Sequence, residues 1–510
     1  MTRKQHLICA ATIVGVLTAL SATAQRSTAH DPLVLSGVTI VDTYTGKLTP
    51  NMAVVIDGEK IVKILPTNSP LLHGHFQTVD ARGKYVVPGF LDMHLHVFQE
   101  VYPQDTYALM LANGVTGWRQ MSASPSLLQK RKDGHLDLGP NAPMLLAMPG
   151  TILTNDNAAN PSQARAEVDK QKAEGADFIK TILLTPKSFF AALDEAKKQG
   201  LPFVGHLSPG VDPVKASELG MKSMEHLGPF EMEMIDCSKY EWLIHLLLDV
   251  YTPKQPDLSP EAMKTFGRLL VSDPLLGLLQ VNPREFKTIK ILLDSFVQSK
   301  CEDLAKTFVS HQTWQVPTLV RERTSEFADA PQYTNDPNLR YVPQEQKQYW
   351  QSIGLLFTQK VDADDKKIIQ HSEELQLQMT KIYDQAGVPM LAGSDSGIWL
   401  IPGFSLHQEF DLLARAGLTP LKVLQMTTLN GAKFVNREAT MGSVAEGKQA
   451  DLVLLEGNPI ESVHNFHAIY AVVRAGHYYS KDTLEAMKQK VADHVAKVGY
   501  VKEQQKDFAP

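Results

Sequence analysis

The feature that most limits what this chain can fold into is a unit that recurs along its middle: a helical run, a glycine, a short apolar run, then a polar residue. Gln104 to Asn113 is helical in pattern, Gly114 stops it, and Val115 to Met121 is extended. Asn160 caps a helix with Pro161 at its first position; that helix stops at Gly175, before Phe178-Ile179-Lys180. Helices ending at Gly200, Gly220 and Gly387 precede runs that close on His206, His226 and Asp395. Glycine adopts the left-handed conformation past a helix end without a Cβ clash, which explains the recurring stop. With Pro143 to Met148 and Gln315 to Val320 included, the strands number eight. Eight such units predict an α/β fold, a (β/α)8 TIM-type barrel with its active site at the C-terminal ends of the strands.

The first of those strands is Gly89-Phe90-Leu91-Asp92-Met93-His94-Leu95-His96, entered from the apolar Tyr85-Val86-Val87. Alternation along a strand puts Asp92, His94 and His96 on one face and Leu91, Met93 and Leu95 on the other. Two imidazoles two residues apart can hold one divalent cation; the bland alternative is a pair of satisfied histidines at a strand end. Lys180, His206, His226 and Asp395 stand at the ends of four further strands. One polar residue at such a place means little. Six metal-capable groups facing one barrel mouth mean a site. For Lys180 the alternative is a surface salt-bridge lysine, which suits its apolar run poorly.

Short strands flank this region: Leu33 to Leu35, Val38 to Val41 and a hairpin through Asp57-Gly58-Glu59 at one end, Asp451 to Leu455 and Ile469 to Val473 at the other. They predict a small β-sandwich domain built from both chain ends, residues 31–86 with 435–480. The barrel then occupies 87–434, and 481–510 form a C-terminal helix and tail. Two connections, 227–314 and 321–387, exceed ordinary loop lengths and read as walls of the pocket or as a dimer interface, so a homo-oligomer stays open. Arg321 and Arg323 could hold a substrate carboxylate or stand solvated in a loop. Residues 1–25, with Arg3 and Lys4, an apolar run from Leu7 to Leu20 and Ala22-Thr23-Ala24, read as an export signal rather than a membrane anchor. The expected destination is periplasmic or secreted, with no membrane span in the mature chain. Removing that segment moves the net charge from −6 to −8, and no basic run suggests nucleic acid as a partner. Cys237 and Cys301 remain, paired or free.

Taken together, these motifs resemble the amidohydrolase superfamily, in its exported prolidase-like and imidazolonepropionase-related branch. The resemblance rests on His94-Leu95-His96, Lys180, His206, His226, Gly393-Ser394-Asp395 and the closing stretch Gly442 to Val453. It implies two divalent ions, zinc first among candidates that include Mn, Co and Ni, and a carboxylated Lys180. One ion would sit on His94, His96 and Asp395, the other on His206 and His226, with the Lys180 carbamate between them. It implies too that a metal-bridging hydroxide attacks the substrate and that Asp395 is the catalytic proton carrier. Gly117-Trp118 and Gln120 around Arg119 depart from common members, so no relative's substrate transfers directly. The expected activity is hydrolysis of amide bonds in dipeptides or N-acylated amino acids. Lactone, ester or carbamate hydrolysis is the rival, and a non-catalytic binding protein a more distant one.

Overall fold

The computed structural model describes residues 31–72, 74–228, 231–243 and 283–498. The segment expected as an export signal, part of the first long insertion and the end of the tail lie outside them.

Apolar, β-branched runs at the two chain ends pair into one eight-stranded sheet. The N-terminal part gives β1 (Leu33–Val41), β2 (Leu48–Asp57), β3 (Lys60–Pro66), β4 (Gln77–Asp80) and β5 (Tyr85–Pro88). Seven short parallel strands follow: β6 (Phe90–Leu95), β7 (Val115–Gln120), β8 (Met144–Ala147), β9 (Ile179–Thr181), β10 (Phe203–Gly205), β11 (Ser223–Glu225) and β12 (Trp314–Val316). The C-terminal part returns β13 (Leu452–Leu455), β14 (Ile469–Arg474) and β15 (His477–Ser480) to the first sheet. Its order is β15-β14-β13-β5-β1-β2-β3, with β4 on β1. Antiparallel pairing of β5 with β13, Val87 opposite Val453, is the seam where the two ends join.

The strands β6 to β12 form two parallel ladders, β6-β7-β8 and β9-β10-β11-β12. Between them the amide of Leu153 donates to the Lys180 carbonyl (2.9 Å) and that of Asp177 to the Met148 carbonyl (3.0 Å). The ring closes through residues 390–392. There Leu391 N donates to the Gln315 carbonyl and Met93 N to the Ala392 carbonyl, both at 2.9 Å. This is the expected barrel. Its eighth stave is irregular, because the chain leaves strand geometry just beyond it, at Asp395. On β6, Leu91 and Met93 pack under Gly431, where an added Cβ would come within 2.8 Å of the Leu91 side chain.

The helix signals are met locally. Asn160 Oδ1 accepts from the Gln163 amide (3.1 Å), and Gly175 closes the same helix at φ 91°. One expected strand is shorter: β12 stops at Val316, and Leu319–Glu326 is helical. The left-handed Thr318 (φ 45°) breaks the extended run, so Arg321 and Arg323 sit on a helix and not in a loop. The described parts of the insertions are helical, including Gln298–His311, Gln344–Lys360 and the 24-residue Ala363–Ala386. Cys237 and Cys301 are joined, with Cα atoms 4.9 Å apart, which ties the start of the first insertion to its last helix. The helix Lys481–Val495 docks on the barrel helix Pro103–Ala112 through His494 and Asp105 (2.6 Å).

Candidate metal centre

Five buried strand ends deliver the six expected residues to one place. Ligand atoms of His94, His226 and Asp395 lie within 4.8 Å of one another, all three residues being buried. Around that trio, His96 Nε2 is 3.4 Å from Asp395 Oδ1 and Lys180 Nζ is 3.5 Å from His94 Nε2. The His206 ring lies beside His226 with centroids 4.3 Å apart. The tightest group therefore takes one histidine from each of the two expected pairs.

The imidazoles are aimed by what holds their other nitrogen. Glu225 accepts from His94 Nδ1 (2.8 Å), Ser122 Oγ pairs with His96 Nδ1 (2.9 Å) and Thr318 Oγ1 with His226 Nδ1 (2.5 Å). Thr318 donates its own proton to the Pro317 carbonyl, so it accepts from His226 and leaves the lone pair on Nε2. The three Nε2 atoms then face Asp395 at 3.8, 3.4 and 3.8 Å. The His226 Nε2 is buried and has no hydrogen-bond partner among the described residues. An orphaned buried acceptor at the centre of such a cluster fits a cation, and neutral imidazoles with carboxylate suit a borderline divalent one.

Backbone geometry adds to the aiming. His226 (φ 77°) and Asp395 (φ 62°) both adopt the left-handed conformation, uncommon for residues with a Cβ. Each is held there, His226 N on the Val316 carbonyl (2.8 Å) and Asp395 N on the His94 carbonyl (2.7 Å). Gly393 permits that approach, since a Cβ there would lie 2.8 Å from His94 Cβ.

Burial sets the protonation states. It lowers His94, His206 and His226 well below the usual imidazole range and His96 to about 4, so all four stand neutral near pH 7. Burial also brings Lys180 down to about 8, against the pull of Glu225 and Asp395. For Asp395 burial acts upward, but His94, Arg321, His96 and Lys180 outweigh it and hold the carboxyl below its ordinary value.

Two participants, Glu225 and Glu231, were not evident from the sequence. Glu225 bridges His94 to Arg119, whose Nη2 donates to both Glu225 oxygens at 2.9 Å. Glu231 lies 3.3 Å from His206 Nδ1. Ser394 N (3.0 Å) and Oγ (2.5 Å) donate to the carboxylate of Asp92, which thus braces the Asp395 turn. Arg321 does reach the site, with Nε 2.8 Å from Asp395 Oδ2 and its guanidinium on Glu322. Arg323 does not; it pairs with Glu373, which Arg415 also contacts at 2.7 Å.

Parts of the chain are similar to known proteins. Residues 367–495 match the family model described as "Amidohydrolase family". An adenine deaminase of Cenarchaeum symbiosum is 30% identical over 84 residues, 16% of this chain and 14% of that protein. Ochratoxinase of Aspergillus niger is 33% identical over 90 residues, 17% of this chain and 18% of that enzyme. This chain thus matches only a small part of the length of these curated relatives. A prolidase solved with N-methylphosphonate-L-proline aligns over 88% of this chain and 99% of its own, with TM-score 0.57 at 20% identity, which is a likeness of fold. Residues 367–495 thus match the amidohydrolase family model, and the described fold is like that of a solved prolidase.

Proposed function

We propose that the protein is a metal-dependent hydrolase that cleaves amide bonds of dipeptides or N-acylated amino acids. The observation that carries this reading is that His94, His96 and His226, each held at Nδ1, turn their Nε2 atoms toward one buried carboxylate, that of Asp395. His94, His96, His206, His226 and Asp395 would hold two divalent ions, zinc by first preference, with Lys180 as a carbamate between them. Such ions supply Lewis acidity and acidify a water. Lys180 suits its role because burial makes its free amine accessible near neutral pH, and only the uncharged amine adds CO2. Asp395, ionised beside the Arg321 guanidinium, would take a proton from the attacking water and return it to the leaving amine. Arg321, beside Asp395, would place a substrate carboxylate at the mouth. The likeness in fold to a prolidase solved with N-methylphosphonate-L-proline is the ground for preferring an amide to a lactone.

Metal analysis, with parallel assays of dipeptides, N-acyl amino acids and lactones, tests the proposal. About two ions per chain and amide hydrolysis lost on chelation are expected. Full activity after thorough chelation, or turnover of lactones alone, overturns it. We propose further that residues 1–25 are removed on export, in keeping with the Cys237–Cys301 pair. A Met1 retained on protein from its native host would count against that.

A further inference from the structure

A cleft beside the loop that follows β6 plays no part in the proposed chemistry. One wall is the loop after β6, with Glu100 four residues past His96. The other is the segment after Asp395, with Leu400 and Ile401; Tyr341, Val342 and Trp350 of the second insertion complete it. The space measures about 40 Å³, room for about three water-sized groups.

The walls are mostly apolar and aromatic; their polar groups are the partly buried Glu100, Asp105 and Gln346 and the buried Thr106, and no cationic side chain is among them. Asp105, which also lines the cleft, is paired with His494. Among the described residues no ion pair or hydrogen bond reaches the Glu100 carboxylate. Burial alone, with no cation opposing it, raises its carboxyl to about 7. An isolated carboxyl in apolar surroundings costs free energy unless a partner arrives. Aromatic walls with one carboxylate at the end are a chemistry that selects cations carrying a little hydrocarbon.

We propose that this cleft binds a small alkylammonium group, the free amino terminus or an amine side chain of a substrate. It rests on the hydrolase reading only in naming the ligand as substrate, since its walls begin within a few residues of His96 and Asp395. The chemistry then favours substrates with a free amine over those blocked at nitrogen.

The test is calorimetric titration of the metal-loaded full chain with ethylammonium chloride and, separately, with ethanol, at pH 8. Saturable binding of ethylammonium is expected, at least tenfold weaker for Glu100→Gln, with none of ethanol. Thermal unfolding of Glu100→Gln should show a higher Tm, because an unpaired carboxylate is gone. If that variant does not fold, Leu400→Phe, which fills the cleft, must abolish ethylammonium binding. Equal binding by wild type and either variant, or equal binding of ethanol, overturns the proposal. Because the titration needs no turnover, failure of the amide assays with ammonium binding intact would sink the hydrolase reading alone.

Discussion

At the scale of single residues, the centre depends on partners that fix its histidines. Glu225 accepts from His94 and carries both bonds from Arg119, all three being fully buried. Glu225→Gln should keep the shape, lose the charge facing Arg119, and weaken metal affinity by about 10–100-fold; competition with a chelator of known affinity measures this. Lys180→Arg should lose metal and nearly all activity, since guanidinium keeps its charge and adds no CO2; near-wild-type metal content would dismiss the bridging role. The ligands themselves were legible, because histidine and aspartate at the ends of apolar runs stand out. Glu225 was not. It lies 131 residues from His94 and directly before His226, where alternation predicts opposite faces. The left-handed turn at His226 cancels that alternation, and nothing in a histidine's identity announces such a turn.

Elements are most legible where their ends carry local chemistry. Asn160-Pro161 and Gly175 bound their helix as expected, because capping needs only neighbours in sequence. The eighth stave was legible in its place, after Gly387 and before Asp395, but its irregular form and the early end of β12 were not, because Thr318 and Asp395 leave strand geometry under tertiary contacts. A different prediction belongs to the helix Ala363–Ala386. Its Ser372 and Gln376 hold Glu326 from the neighbouring helix, and burial lifts that carboxyl to about 8. A carboxyl raised in the fold binds its proton more tightly there than in the unfolded chain. Its contribution is thus complete below about pH 4.5 and is lost as pH rises through 8, falling by about 1.4 kcal/mol for each pH unit in between. Glu326→Gln should therefore gain on wild type as pH goes from 5 to 9 in urea unfolding. Parallel curves for the two proteins would show that Glu326 does not titrate in this range.

For the molecule as a whole, the sheet that takes strands from both chain ends has a consequence in time. β5 finds β1 soon after synthesis, but its other edge waits for β13, made only when residues 452–455 emerge. At 5–20 residues per second this leaves an open strand edge for roughly 20–70 s. A chain ending at residue 450 should keep that edge permanently and aggregate, whereas one ending at 498 should stay monodisperse; light scattering of the two tells them apart. A ribosome that slows between Pro88 and Leu452 prolongs the hazard without altering a single amino acid. Synonymous codon choice across that interval would thus govern the yield of a protein whose finished form is identical.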